Sequence, residues 1–438
     1  TTTVAADRAA VDLPATGNGQ PLGVVDLSGR VLVGAHDGVV GQELWAGDTD
    51  GLEFLGDLAP GPSSAFVSGD PEVLDAVPLN GIRLGGRLLF LAFVGLAASP
   101  WSTDGTPGGT QKLQDGTLTG PQFHGASLGD AALFTGRTPG QDYAVYRTDG
   151  TPAGTQPLFA TGFYAATLYE RLGNEAIVGV GGPIGRMWKS DGTLAGTTLF
   201  VQFLSPLALG FEAFERVGDT VYFTASHPTI GMELWRTDGT GVGTQLVADL
   251  LPGPQGSAPE DLTRVGDALF FTADGGTGRE LWRTDGTPSG TVLAAALPGS
   301  AAPTKLVALG DRLCFVHGDS LYVYEQGAAT LLHTASAPGI GTVRAVGSRR
   351  VFFRGGGLDD SGSEVWSSDG TPAGTQRFDD FLPGGLGSSP DEFVLSDGSL
   401  FVVATQYFSA GRELFHAHVG ATAQSIGTGC AEGGGVPE

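Results

Sequence analysis

The chain has 438 residues, 73 of them Gly and 26 Pro, yet 41% are hydrophobic. That is enough apolar surface to build a core, which excludes wholesale disorder and points to short strands joined by tight turns. A net charge of −24, from 23 Lys plus Arg against 47 Asp plus Glu, repels phosphate backbones and anionic bilayers, so neither nucleic acid nor a membrane surface is an expected partner. The longest apolar run, residues 88–98, is eleven residues, short of the ~20 that a spanning helix needs. No basic-then-apolar leader opens the chain, and it reads as soluble.

The first 20 residues contain Ala10-Val-Asp-Leu-Pro14, which is similar to Val247-Ala-Asp-Leu250 further on. From about residue 21 to 427 the chain repeats itself. One unit reads Leu262-Thr-Arg-Val-Gly-Asp-Ala-Leu-Phe-Phe-Thr-Ala273, then Glu280-Leu-Trp-Arg-Thr-Asp-Gly-Thr287. The unit before it reads Phe214-Glu-Arg-Val-Gly-Asp-Thr-Val-Tyr-Phe-Thr-Ala225, then Glu233-Leu-Trp-Arg-Thr-Asp-Gly-Thr240. An aromatic marker recurs at Trp45, Trp101, Tyr146, Trp188, Trp235, Trp282, Tyr324, Trp366 and Phe415, at intervals of 42 to 56 residues. Nine units follow, and residues 428–438 form a Gly-rich tail.

Within a unit the period is that of strands. Residues 261–265, 268–272, 280–284 and 291–295 form four short apolar runs separated by turn residues. Leu281 and Trp282 must point to opposite faces, so both faces of each sheet are buried. A four-stranded unit of this length, buried on both sides and repeated, is a β-propeller blade. The fold class is therefore all-β, a propeller of nine blades, with an eight-bladed ring as the alternative if the degenerate unit 7 is displaced. The N-terminal stretch around residues 10–14 is expected to close the ring by pairing in the last blade, beside residues 413–416 or 423–426.

Six units carry Asp-Gly-Thr-x-x-Gly-Thr, starting at Asp104, Asp149, Asp191, Asp238, Asp285 and Asp369. Aspartate closes such a turn on backbone N–H groups ahead of it, and the first Gly supplies φ > 0. The second Gly is read as another left-handed position. These aspartates are expected to be structural. Trp45, Trp101, Trp188, Trp235, Trp282 and Trp366 are expected in the core. Glu43, Glu233, Glu280, Glu364 and Glu413 repeat with the unit and receive the same architectural reading.

The recurring Glu-Leu-Trp-x-x-Asp-Gly-Thr string resembles that of the ELWxxDGT-repeat proteins over about residues 21 to 427, complete at 233–240 and 280–287 and partial elsewhere. Unit 3 has Ala144-Val-Tyr, unit 4 has Arg186-Met-Trp, and unit 9 lacks the Asp. The resemblance implies a secreted or surface-exposed bacterial repeat scaffold, and no catalytic role attaches to the motif.

Function is sought where units differ. The links between strands two and three hold His36, Asp37, Tyr143, His227, Asp274, Asp359, Asp360, Tyr407 and Phe408. Such acids and aromatics suit carbohydrate or polypeptide recognition. No zincin motif, nucleophile elbow or Walker loop is present. No cofactor is expected, although the oxygen-rich run at Asp359-Asp360-Ser361 could take Ca²⁺. Cys314 and Cys430 are too few for a cysteine metal site, and a disulfide between them stays open. The leading expectation is a non-catalytic extracellular scaffold binding a protein or carbohydrate partner. A glycan hydrolase with carboxylates at the channel mouth and a structural subunit of a surface assembly are the alternatives.

Overall fold

The computed structural model describes residues 8–10, 21–36, 41–59, 65, 79, 81–94, 97–114, 125–137, 141–204, 211–336, 339–356, 362–379, 388–390, 392–406 and 411–419. They form nine four-stranded antiparallel sheets, the blades of a β-propeller. Blades 1 to 8 occupy residues 22–56, 82–112, 125–162, 166–204, 214–248, 260–293, 303–334 and 343–379, each in simple up-and-down order. Blade 9 is built from both ends of the chain: Glu392–Ser396, Ser399–Gln406 and Gly411–His418, with Arg8–Ala10 as its outermost strand.

Ring closure thus uses an N-terminal strand, two residues earlier than expected. Arg8 lies opposite Ala417, Ala9 opposite His416 and Ala10 opposite Phe415. The rest of the 10–14 segment and the 423–426 run lie outside the described residues. Closure is reinforced at the axis, where the Glu392 carboxylate accepts from the Gly23 N–H at 3.1 Å and the Val24 N–H at 2.8 Å.

The first strands of neighbouring blades touch one another, so they surround the central channel. Among the described residues, nine apolar clusters fill the nine blade-to-blade interfaces, and the ninth joins Val31, Val33 and Trp45 of blade 1 to Phe401, Val403 and Leu414 of blade 9. Strand alternation explains this. Phe352 packs toward blade 9 and Phe353 toward blade 7. Leu281 faces blade 7 while Trp282 faces blade 5.

Unit 7 is a full blade in its place, and the eight-bladed alternative falls. Its last two strands, Ser320–Glu325 and Ala328–Thr334, are joined by Gln326 and Gly327 at φ 51° and 89°. Two successive positive φ angles suit the right-handed twist of a tight hairpin.

Candidate functional site

Each Asp-Gly-Thr turn is a closed hydroxyl relay. In blade 5, Asp238 Oδ1 accepts from the Thr240 N–H at 2.9 Å and the Thr240 hydroxyl at 2.7 Å. Thr240 Oγ1 in turn accepts from the Gly243 N–H at 2.9 Å, and the Thr244 hydroxyl donates to the Thr240 carbonyl at 2.7 Å. The same bonds recur at Asp104, Asp149, Asp191, Asp285 and Asp369. Hydrogen bonding from threonine holds the carboxyls of Asp104, Asp149, Asp191, Asp238 and Asp285 below their usual range.

The two glycines differ in purpose. The first is left-handed in every copy, from φ 84° at Gly105 to 90° at Gly286. The second is not left-handed, which corrects the sequence reading. It is glycine because a Cβ at Gly243 would lie 2.0 Å from Asp238 Oδ1, with 1.8 Å at Gly109 and 2.1 Å at Gly374. The constraint is room for the carboxylate, not backbone handedness.

Three of the repeat glutamates, Glu43, Glu233 and Glu364, are buried staples for the crossover to the next blade. Glu233 Oε1 accepts from the Ser257 N–H at 2.8 Å, and Oε2 accepts from the Ser257 hydroxyl. Glu364 holds Ser388 in the same way, at 2.8 and 2.6 Å. Glu43 accepts from the Leu58 N–H at 2.8 Å, and burial pushes its carboxyl from 4.5 up to about 7. Trp45 is buried, whereas Trp101, Trp188, Trp235, Trp282 and Trp366 are half-buried against the interface clusters.

Of the link residues singled out from the sequence, four are among the described residues. His36, Tyr143, His227 and Asp274 stand in blades 1, 3, 5 and 6. His227 Nδ1 contacts the Thr229 hydroxyl at 3.1 Å, and Asp274 Oδ1 accepts from the N–H groups of Gly276 and Gly278 at 2.7 and 3.2 Å. Arg137 stacks its guanidinium 4.8 Å from the Tyr143 ring. Asp37, Asp359, Asp360, Tyr407 and Phe408 lie outside the described residues, as does Cys430; Cys314 is a buried free thiol, pushed up to about 12 by burial.

Convergence occurs on the channel wall instead. Glu170, on the first strand of blade 4 (Ala166–Leu172), and Glu215, on that of blade 5 (Phe214–Val217), each stand two residues before the strand end. At that register blade 1 carries Val25, blade 2 Ile82, blade 6 Thr263, blade 7 Val307 and blade 8 Arg344. Glu170 acts electrostatically on Glu215. Arg216 Nε lies 3.7 Å from Glu170 Oε1, and Arg264 of blade 6 faces Glu215 electrostatically. Burial, and then repulsion from Glu170, pushes Glu215 up to about 7. Burial also raises Glu170, with the Arg171 N–H and Arg216 opposing it.

Further round the wall, a cleft of about 450 Å³ opens across blades 6, 7 and 8, lined by Asp261, Lys305, Arg344 and Arg354 among others. Asp261 and Lys305 sit at register shifts of their strands, with φ of 54° and 55°. Bulges of this kind re-aim side chains, and a non-glycine residue held left-handed is costly. The Lys305 ammonium donates to the Ile340 and Gly341 carbonyls, both at 2.8 Å. Here Arg344 and Arg354 converge with Lys305. The one legible signal was a charged residue, Glu170, Glu215 or Arg344, at a first-strand register where blades 1, 2 and 7 carry Val or Ile.

No family model and no curated protein matches the chain. Among solved structures, a puromycin hydrolase is 16% identical with TM-score 0.43, over 78% of this chain and 60% of that one. A study of two prolyl endopeptidases contributes a structure at 14% identity and TM-score 0.45, covering 80% and 56%. Oligogalacturonate lyase from Vibrio parahaemolyticus is 11% identical with TM-score 0.43, covering 78% and 90%. The chain thus spans 60% of the puromycin hydrolase chain and 56% of the prolyl endopeptidase chain, and the likeness is one of fold alone. These neighbours bear the names of enzymes, against the expectation of a non-catalytic scaffold.

Proposed function

We propose that the protein is a glycan-acting enzyme whose chemistry takes place on the channel wall, with Glu170 and Glu215 as its acid–base pair. The observation that carries this is the placing of two glutamates at one register on adjoining first strands, where the other blades cited above carry Val, Ile, Thr or Arg. Glycosidases canonically cleave with a pair of carboxyl groups, one protonated as the acid and the other ionised as base or nucleophile. Glu215, at about 7, is half protonated near neutrality and suited to donate a proton. Burial raises Glu170 as well, but the Arg216 guanidinium 3.7 Å away opposes it, which suits Glu170 to the role of base or nucleophile.

The test is turnover of an oligosaccharide panel by the wild type, Glu215→Gln and Glu170→Gln. Each amide should lower kcat by ~10²–10⁴-fold while leaving the melting temperature within a few degrees. Unchanged turnover in Glu215→Gln would remove the assignment.

A further inference from the structure

The cleft across blades 6, 7 and 8 contains three cations, Lys305, Arg344 and Arg354, against one acid, Asp261. This is unusual in a chain of net charge −24 with 23 Lys and Arg in all. The cations come from two blades: Lys305 from the first strand of blade 7 (Pro303–Leu309), Arg344 and Arg354 from the first two strands of blade 8 (Val343–Val346 and Arg350–Gly356). Like charges held together raise each other's free energy unless an anion lies between them.

Three observations show that the cluster is only partly satisfied from within. Two of the three Lys305 ammonium protons are taken by the Ile340 and Gly341 carbonyls, leaving one to donate. Arg354 Nε is buried without a hydrogen-bond partner, a costly state for a charged donor. Burial and the Arg354 charge both depress the Lys305 ammonium, a strain that a bound anion relieves. The chain also makes room for Arg354, since a Cβ at Gly341 would lie 2.0 Å from its Nε. A volume of about 450 Å³ falls within the ~300–1,000 Å³ of small-molecule sites.

Resting on the reading of the channel as a glycan site, we infer that this cleft is a carboxylate-binding subsite, so that the substrate is an acidic oligosaccharide built of uronic acids. The planar guanidinium groups of Arg344 and Arg354 match a sugar carboxylate, and the Lys305 ammonium adds a point charge to it. Asp261 accepts the Lys305 backbone N–H and fixes the bulge that carries the lysine.

Calorimetric titration with α-1,4-linked trigalacturonate and with the neutral galactotriose of the same linkage tests the assignment. The acidic trisaccharide should bind the wild type at least tenfold more tightly, with affinity falling as salt rises. Arg344→Gln/Arg354→Gln should abolish that preference, and Gly341→Ala should reduce it by displacing Arg354. Arg344 is exposed, so Arg344→Gln alone keeps the test open if the double variant does not fold. Equal affinity for the two sugars, a preference that survives in the variants, or displacement of trigalacturonate by equimolar inorganic sulfate would overturn the subsite. Glu215→Gln separates the two readings: it should bind trigalacturonate as the wild type does. Charge-selective binding without turnover would leave the subsite standing and remove the catalytic pair. Turnover without charge preference would do the reverse.

Discussion

Arg312 of blade 7 donates from Nη2 to the Asp369 carbonyl of blade 8 at 2.8 Å, and from Nη1 to the Gly370 carbonyl at 3.3 Å. The turn that ends one blade is thereby fastened to the blade before it. Arg30 holds the Gly105 carbonyl in the same way, and Leu172 and Ile177 pack on Gly239. Arg312→Ala should therefore cost ~1.5–3 kcal/mol, the range for hydrogen bonds from a charged donor. Arg312→Lys should recover only part of it, because an ammonium lacks the fork that spans two carbonyls. Urea unfolding of the two variants measures the difference.

The second glycine of each turn makes room for the aspartate, which a double-mutant cycle can check. Gly243→Ala places a methyl group 2.0 Å from Asp238 Oδ1 and should destabilise by ~1–3 kcal/mol. Asp238→Ala loses the bonds to the Thr240 N–H and hydroxyl. Combined, the two should cost less than their sum, since the clash disappears with the carboxylate. Strict additivity would mean that the glycine is needed for another reason.

Indole hydrogen bonds separate two otherwise similar tryptophans. Trp282 Nε1 donates to the Ala273 carbonyl at 3.2 Å, whereas Trp235 Nε1 is buried without a partner. Trp282→Phe should then cost ~1 kcal/mol more than Trp235→Phe, read as the difference between their urea midpoints against wild type. Loss at Trp235 equal to that at Trp282 would show that packing alone governs both.

Stability should pass through a maximum in mild acid. The turn aspartates titrate below 3.8 when folded, so the stability they add is present above that value and is lost as pH falls through the folded pKa. Glu43 runs the other way, raised from 4.5 to about 7. The fold binds its proton more tightly than the unfolded chain does, so stability falls as pH rises across that window and levels off above it. Urea midpoints from pH 3 to 8 should show both limbs, and Glu43→Gln should shallow the upper one without moving the acid one.

The sequence by itself determined the blades. Strand alternation places Leu281 and Trp282 on opposite faces, and the Asp-Gly-Thr relay closes within seven residues, so the bonds that define both are local and repeat with the string. Nine aromatic markers therefore meant nine sheets. Only the tertiary structure decided what happens between units. The purpose of the second glycine depends on where a carboxylate five residues away comes to rest. The closing strand settled at Arg8–Ala10, because its register is set by Phe415–Ala417 about 400 residues away. The channel wall was least legible of all. Glu170, Glu215, Lys305 and Arg344 look like scattered surface charges along the chain, spread over four blades. The ring turns its first strands inward to one axis, and that closure, which no local pattern encodes, brings them onto one wall.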